Sequence, residues 1–173
     1  KAGGAKVQQV QFDAQGRGYY GAFGSWGAME FTPEGLLRPR PLLPATFPKW
    51  VLASNFTDLL PVSHGVFFAS FNGVAYWNRT TGEHAFFEVP QCSRIFTIGD
   101  DAFVWSHRIG IQRLHLASAT MSPVKGVDVV AHQLDQVTAL DRDRVLVATI
   151  AGRLLVFDGV SLAWAITEHI HDN

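Results

Sequence analysis

The residues that could carry metal or acid-base chemistry are dispersed along this chain. Among its seven histidines, the tightest set is His169 and His171, with Asp172 directly after them. On a strand, alternate residues share one face, so both imidazoles could reach a single metal ion. A further ligand would have to come from elsewhere, and the set stands at the end of the chain. We therefore predict a terminal segment here and no metal site.

Two acidic pairs, Asp100 with Asp101 and Asp141 with Asp143, could act as general acid and base. Each pair lies in a short polar stretch between apolar runs, where Asp favours turns by bonding its own backbone, so turns are the preferred interpretation. Cys92 is the only cysteine, which excludes an internal disulfide. The sequence also lacks a phosphate-binding loop, a nucleophile elbow and a zinc-peptidase motif. We predict no catalytic residue and no cofactor.

Composition narrows the class of partner. Of the 173 residues 47% are hydrophobic and 17% are charged, which is typical of a packed core. The net charge is −1 and no Lys/Arg-rich run occurs, so a nucleic-acid partner is not expected. No apolar stretch approaches the roughly 20 residues of a membrane span. Because the chain begins at Lys1 rather than Met, we expect natural sequence upstream of it.

The elements that must position any site repeat along the chain. Four times, a hydrophobic run reaches a glycine and a second run follows, at Gly27, Gly73, Gly110 and Gly152. A period of roughly 40 residues indicates stacked β-hairpin units, and no sustained helical pattern occurs. We predict an all-β, β-propeller-like domain over 1–173, with about four blades of four antiparallel strands at about 5–43, 55–90, 92–128 and 132–170. A single β-sandwich is the alternative.

Six of the eight prolines fall between residues 33 and 61. Proline cannot donate to a central strand, so this Pro-rich connector should contain an edge strand and a stiff loop. It is either an inserted loop for a ligand or partner, carrying Trp50, or an ordinary connection between blades.

The second and fourth repeats, GVAYWNRTTGEHAFFEV and GRLLVFDGVSLAWAI, resemble a known repeat family. They are similar to the blades of two-component-regulator-type and quinoprotein-type propellers. The matching positions are Gly73, Tyr76, Trp77, Asn78, Thr81, Gly82 and Phe87, then Gly152, Leu154, Phe157, Asp158 and Trp164. The fourth repeat lacks the Thr-Gly turn. The resemblance implies turns and blade packing, and such blades occur in sensors, scaffolds and quinone-dependent dehydrogenases, so it does not select an activity.

Loops that join the second and third strands of a blade share one face with the loops between blades. Aromatic and arginine side chains in such loops are common anchors of recognition, and they would suit sugar or carboxylate ligands. The predicted ligand-binding residues are Trp26, Asn72, His107 and Arg108 from the hairpins, with Trp50 and Arg94 from the inter-blade connections. For Trp26, packing into the next blade is the alternative.

The sequence favours a non-catalytic propeller module, of sensor or scaffold type, that binds a protein partner or a small ligand. A propeller enzyme, such as a lyase or a quinone-dependent oxidoreductase, is the alternative. Asn55 and Asn78 stand in glycosylation sequons, and Asn78 should be the better acceptor because it opens a turn. A periplasmic or extracellular setting is favoured over a cytoplasmic one, and the compartment stays open.

The chain is also predicted to be part of a larger ring, completed by further blades of the same or another chain. Rings typically hold four to eight blades, and a repeat array needs polar ends when those ends are exposed. Tyr20 and Phe23 at one end, with Val147 and Trp164 at the other, would present apolar surface. A compact four-bladed ring is the alternative.

Overall fold

The computed structural model describes residues 6–124 and 134–164. These residues form sixteen strands in four antiparallel sheets. The first sheet contains β1 (Val7–Phe12), β2 (Gly18–Ala22), β3 (Ser25–Phe31) and β4 (Leu37–Pro41), and the second contains β5 (Phe56–Val62), β6 (Gly65–Ser70), β7 (Gly73–Asn78) and β8 (His84–Glu88). The third contains β9 (Cys92–Ile98), β10 (Asp101–Ser106), β11 (Gly110–His115) and β12 (Thr120–Pro123), and the fourth contains β13 (Leu134–Ala139), β14 (Val145–Thr149), β15 (Leu154–Phe157) and β16 (Leu162–Trp164).

Within every sheet the strands are neighbours in the order in which they occur along the chain. The first strands of successive sheets also lie side by side: β1 by β5, β5 by β9, and β9 by β13. The first strands are therefore innermost and the fourth strands outermost, as in the blades of a propeller. The predicted all-β fold with four blades of four antiparallel strands is confirmed.

Neighbouring blades are joined by apolar cores. Trp26, Phe56 and Phe68 pack between blades 1 and 2, with the Trp26 and Phe56 ring centroids 4.7 Å apart. A second core lies between blades 2 and 3, and a third between blades 3 and 4, where the rings of Phe103 and Phe157 are 5.4 Å apart. Each such side chain contributes roughly 1.5–3 kcal/mol on burial, so the cores hold the array together.

The glycines that mark the sequence repeat do not occupy equivalent places. Gly73 and Gly110 begin third strands, but Gly27 is the third residue of β3 and Gly152 precedes β15. Asn72 and Gly73, a dipeptide that favours type I′ hairpin turns, do not form one here. The hairpin loop is Phe71–Asn72, and neither residue has the positive φ that type I′ requires. Gly73 is instead needed for space, because a Cβ there would lie 2.4 Å from the carbonyl oxygen of Phe87.

The six prolines of the Pro-rich connector span residues 33–61, but the connection between blades 1 and 2 is only the shorter segment between β4 and β5. The Pro-rich connector contains the edge strand β4 and a 3-10 helix, Lys49–Ala53, whose Val51 is fully buried. Pro61 belongs to β5, the innermost strand of blade 2, which is also a sheet edge. The chain between β4 and β5 thus follows the surface as an ordered connection.

Two of the four apolar residues expected to be exposed at the ends of the array are covered, and the side chain of Trp164 is outside the described part of the structure. Tyr20 and Val147 are buried, and Val147 belongs to the core between blades 3 and 4. Phe23 lies at a hairpin tip. On the side of the first sheet turned away from blade 2, the exposed apolar side chains include Phe12 and Phe31. The expectation is therefore wrong for Tyr20 and Val147, and strand register places Val147 on the inner side of its blade.

Candidate functional site

One face of the blades gathers the hairpin loops and the connections between blades. The amide of Gly24 donates to the carbonyl of Ser54 at 2.7 Å, and that of Val89 donates to Asn72 at 3.1 Å. The amide of His107, in blade 3, donates to the carbonyl of Gln91 at 3.0 Å, and Gln91 lies in the connection between blades 2 and 3. We define the hairpin face as residues 23–24, 71–72, 107–109 and 150–153, with the connections 42–55 and 89–91.

A buried hydroxyl at the end of the second strand supports three of these hairpins. The Ser70 hydroxyl accepts the amide of Asn72 at 3.3 Å. The Ser106 hydroxyl accepts the amides of Arg108 and Ile109, both at 3.1 Å. Thr149 accepts the amide of Arg153 at 3.0 Å. Because these bonds satisfy loop amides from inside the blade, the loops have a defined shape.

The residue that follows the second strand is exposed in every blade. Phe23, Phe71 and Ile150 occupy this place in blades 1, 2 and 4, with 58%, 61% and 64% of their surface exposed. His107 occupies it in blade 3 and is also exposed. We call these four residues the hairpin tips. Sequence reasoning found only His107, although each tip directly follows Ala22, Ser70, Ser106 or Thr149, a signal that alignment on the glycines concealed.

The two tryptophans predicted to bind a ligand pack against other residues of the protein. Trp26 is fully buried against Phe56 and Phe68, which is the packing alternative and removes it from the candidate site. Trp50 is half-buried in the 3-10 helix, and its ring lies 3.0 Å from where a Cβ of Gly73 would be. Trp50 thus supports the hairpin face from beneath.

The predicted polar residues have different environments. The side-chain amide of Asn72 donates to the Ser54 hydroxyl at 3.1 Å, which ties the blade 2 hairpin to the connection. His107 and Arg108 are exposed at the blade 3 hairpin. Arg94 is half-buried on β9, where it bonds the carbonyl of Ser93 at 3.0 Å. The structure therefore brings Asn72, His107 and Arg108 to the hairpin face and keeps Arg94 on the innermost strand.

Buried groups surround the Cys92 thiol beside Arg94. The Asp58 carboxylate accepts the amide of Ile95 at 3.1 Å and links the innermost strands of blades 2 and 3. Burial raises the pKa of Asp58, and the charge of Arg94 opposes that shift. Burial, reinforced by the Asp58 charge, raises the pKa of the Cys92 thiol to about 12. The thiolate is therefore scarce at neutral pH.

Three of the four residues of the acidic pairs lie in turns, as predicted. Asp100 is in the turn between β9 and β10, with Asp101 beginning β10, and Asp141 and Asp143 lie between β13 and β14. Asp141 accepts the amide of Asp143 at 2.9 Å and pairs with Arg144. Within 6–124 and 134–164, no cluster of three metal-ligating side chains occurs. The set His169, His171 and Asp172 lies outside the described residues.

The two sequons differ in exposure from the expectation. Asn55 is exposed, whereas Asn78 is half-buried, and its side-chain oxygen accepts the amides of Thr80 and Thr81 at 2.9 and 3.1 Å. Side-chain access therefore favours Asn55 as the glycan acceptor. Among the described helices none is long and apolar enough to cross a membrane.

Comparison with known proteins defines the class. No protein-family model and no curated protein matches the sequence. Solved structures match in fold: a catalytically inactive virginiamycin B lyase from Staphylococcus aureus with quinupristin has a TM-score of 0.65 at 16% identity. The extracellular domain of the one-component system BT4673 from B. thetaiotaomicron has 0.64 at 11%, and the WD40 propeller of Doa1 has 0.62 at 10%.

The alignment with the lyase covers 95% of this chain and 57% of the lyase chain. The corresponding shares are 99% and 23% for the BT4673 domain, and 90% and 53% for the Doa1 propeller. The chain thus spans about half or less of the length of these structures. At such identities the similarity shows the fold alone. The chain is a β-propeller protein.

Proposed function

We propose that this chain is a non-catalytic propeller module that binds a protein partner through its hairpin face. The observation that carries the proposal is the row of hairpin tips, in which three of four equivalent positions bear an exposed large apolar residue. Single exposed apolar residues are ordinary, but repeated ones on one face of a soluble domain are typical of an interaction surface.

The surrounding residues suit a protein surface. Leu52, in the 3-10 helix of the same face, is 59% exposed, and the polar groups of Asn72 and Arg108 lie beside the tips Phe71 and His107. Aromatic anchors with arginine nearby are common in protein interfaces. Apolar tips that project from a face suit a protein better than a small ligand, which prefers a concave pocket.

Fold alone does not decide between binding and catalysis, since a lyase shares it. Two of the matched structures are extracellular domains of bacterial signalling systems, and they support a sensor-type role and a periplasmic or extracellular setting. We therefore expect the partner in the extracytoplasmic fraction of the source organism.

The test compares two triple variants in quantitative capture from that fraction. One replaces three hairpin tips with serine: Phe23→Ser, Phe71→Ser and Ile150→Ser. The control replaces Leu36, Leu140 and Val160 with serine. These are also exposed apolar turn residues, but they lie in loops at the opposite end of the blades.

We expect the wild type and the control to retain the same protein, and the tip variant to bind it at least about tenfold more weakly, because interface anchors contribute more than 1 kcal/mol each. Thermal unfolding should be nearly unchanged in both variants. Equal capture by the tip variant would show that the hairpin face is not the binding surface.

A further inference from the structure

A cleft lies between blades 2 and 3 at the end opposite the hairpin face. Two adjoining cavities of about 670 and 570 Å³ share His64, Tyr76 and Leu116 in their walls. Both volumes are within the range of small-molecule sites, roughly 300–1,000 Å³. We call the two cavities together the blade 2–3 cleft.

Tyr76 brings an unpartnered polar group to this cleft. The residue is only 6% exposed, and its ring packs on Phe67 with centroids 4.7 Å apart. Its hydroxyl makes no hydrogen bond within the part of the chain that the structure describes. The hydroxyl is not among the fully enclosed polar atoms of the described residues, so it opens on the cleft and is available to a bound molecule. Burial raises the pKa of Tyr76 against the opposing charge of Arg79, so the phenol is neutral.

The backbone at Gly65 leaves room for the phenol of Tyr76. A Cβ on Gly65 would lie 2.7 Å from the Tyr76 hydroxyl and 2.1 Å from the carbonyl oxygen of Trp77. Any side chain at position 65 would therefore displace the phenol from the wall of the cleft. The position of the hydroxyl is thus set by the strands and does not depend on a loop.

The charges that face the cleft are negative. Glu83 lines one cavity and Asp100 lines the other, and the described residues of the two walls include no lysine or arginine. The nearby cation, Arg79, bonds Asp13 and the carbonyl of Ser63, both at 3.2 Å. Carboxylates, a phenol and imidazoles can all accept a hydrogen bond, so the cleft presents acceptors around an apolar floor.

We propose that the blade 2–3 cleft binds a small organic cation. Its ammonium group donates to the Tyr76 hydroxyl and is attracted by the carboxylates of Glu83 and Asp100, which line the two cavities that Tyr76 joins, while its apolar body lies against Leu116 and Phe67. Hydrogen bonds between an ammonium and a carboxylate are charge-assisted and stronger than neutral ones. This site is separate from the hairpin face and does not depend on the function proposed for that face.

Three probes that share one ring separate charge from shape: benzylamine, which is cationic at pH 7, benzyl alcohol and benzoate. Titration calorimetry and NMR shifts of the purified protein measure their binding. We expect benzylamine to bind about tenfold more tightly than benzyl alcohol, and benzoate to bind more weakly than either. Equal affinity for benzylamine and benzyl alcohol, preference for benzoate, or no binding of benzylamine would overturn the proposal.

Variants locate the cation in the cleft. Tyr76→Phe keeps the ring and removes only the hydroxyl, and should weaken benzylamine about fivefold, as loss of one hydrogen bond predicts. Glu83→Gln with Asp100→Asn should remove the preference for benzylamine over benzyl alcohol. Asp143→Asn is the matched control, because Asp143 is an exposed turn residue of blade 4. Unchanged binding in the cleft variants, or an equal loss in Asp143→Asn, would place the cation elsewhere.

Discussion

At the residue scale, the carboxylate of Asp13 shows how one side chain joins two blades. It accepts the amides of Gln15 and Arg17 at 3.0 and 2.9 Å and the Arg17 side chain at 2.6 Å. Arg79 reaches it from blade 2 at 3.2 Å, and the hydroxyl of Tyr19 lies 3.3 Å away. With only 6% of its side chain exposed, Asp13 connects the first turn of blade 1 to the second blade.

Asp13 should make stability depend on pH. Burial acts to raise its pKa, but the hydrogen bonds from Arg17 and Gln15 outweigh burial and lower the pKa below the ordinary value of 3.8. The stabilisation is therefore present above the pKa of the unfolded state and is lost as pH falls through the lower pKa of the folded state. We expect Asp13→Asn to lower the free energy of unfolding by about 1 kcal/mol at pH 7, and by less at pH 3.

Urea unfolding of the wild type and the variant at both pH values measures this difference. Asp100→Asn is the control, because Asp100 lies in an exposed turn and makes no ion pair in the described part of the chain. A difference between Asp13→Asn and wild type that stays constant from pH 7 to pH 3 would contradict the assignment.

The sequence identified side chains of a suitable chemical type, but it did not reveal which of them are buried and which are exposed. Trp26 was an attractive ligand anchor because of its type, but its neighbours Phe56 and Phe68 come from another blade and bury it. Phe23 and Phe71 carry no motif, so their exposure became visible only when strand ends were known. Burial depends on contacts between blades, which a single sequence does not reveal.

At the scale of elements, the buried hydroxyl that ends a second strand is a repeated device. In blade 3, Ser106 accepts two loop amides and donates to the carbonyl of Pro90, so it fixes both the hairpin and the connection behind it. Blade 1 has Ala22 at this place, and its hairpin is held instead by the amide of Gly24 on Ser54.

Removing the Ser106 hydroxyl should destabilise the fold locally. Ser106→Ala leaves the amides of Arg108 and Ile109 without their acceptor, and we expect the free energy of unfolding to fall by about 1–3 kcal/mol. Faster hydrogen exchange should be confined to the blade 3 hairpin and the 89–91 connection. Ser118→Ala, at an exposed turn, is the control and should change neither quantity. Uniform exchange throughout blade 3 would show that the hydroxyl does not act on the hairpin alone.

Strand existence was predictable because apolar runs and turn residues recur, as at Thr81 and Gly82, where Gly82 has a φ of 76°. Register was not. Gly27 and Gly152 mark the repeat by eye, yet one lies inside a strand and the other lies in a loop. Gly27 is required because a Cβ would lie 2.1 Å from the carbonyl oxygen of Arg40, which is a packing reason that any period-finding misses.

At the scale of the whole molecule, three cores join four blades. They lie between blades 1 and 2, 2 and 3, and 3 and 4, and within the described ranges no equivalent cluster joins blade 4 to blade 1. Phe12 and Phe31 are 53% and 73% exposed on the free side of the first sheet. An exposed apolar blade face favours association, because repeat arrays bury such faces against a neighbour.

We therefore predict that the isolated chain does not stay a compact monomer. Light scattering should give a mass above 19.0 kDa, and Phe12→Ser with Phe31→Ser should shift the population toward the monomer. The control is the Leu36, Leu140 and Val160 variant, which changes exposed apolar turns instead of a blade face. A monodisperse 19.0 kDa particle with low dye binding would instead support a closed four-bladed ring.

The prolines of the outermost strand of blade 1 have a consequence for solubility. The amide of Leu42 donates inward to Trp26, so by alternation the backbone nitrogens of Pro39 and Pro41 point away from the sheet. The two prolines therefore remove no hydrogen bond between β3 and β4. On the outer edge of β4, however, they leave two positions without the N–H donor that an incoming strand would need. The two prolines therefore oppose edge-to-edge aggregation at the outer edge of blade 1.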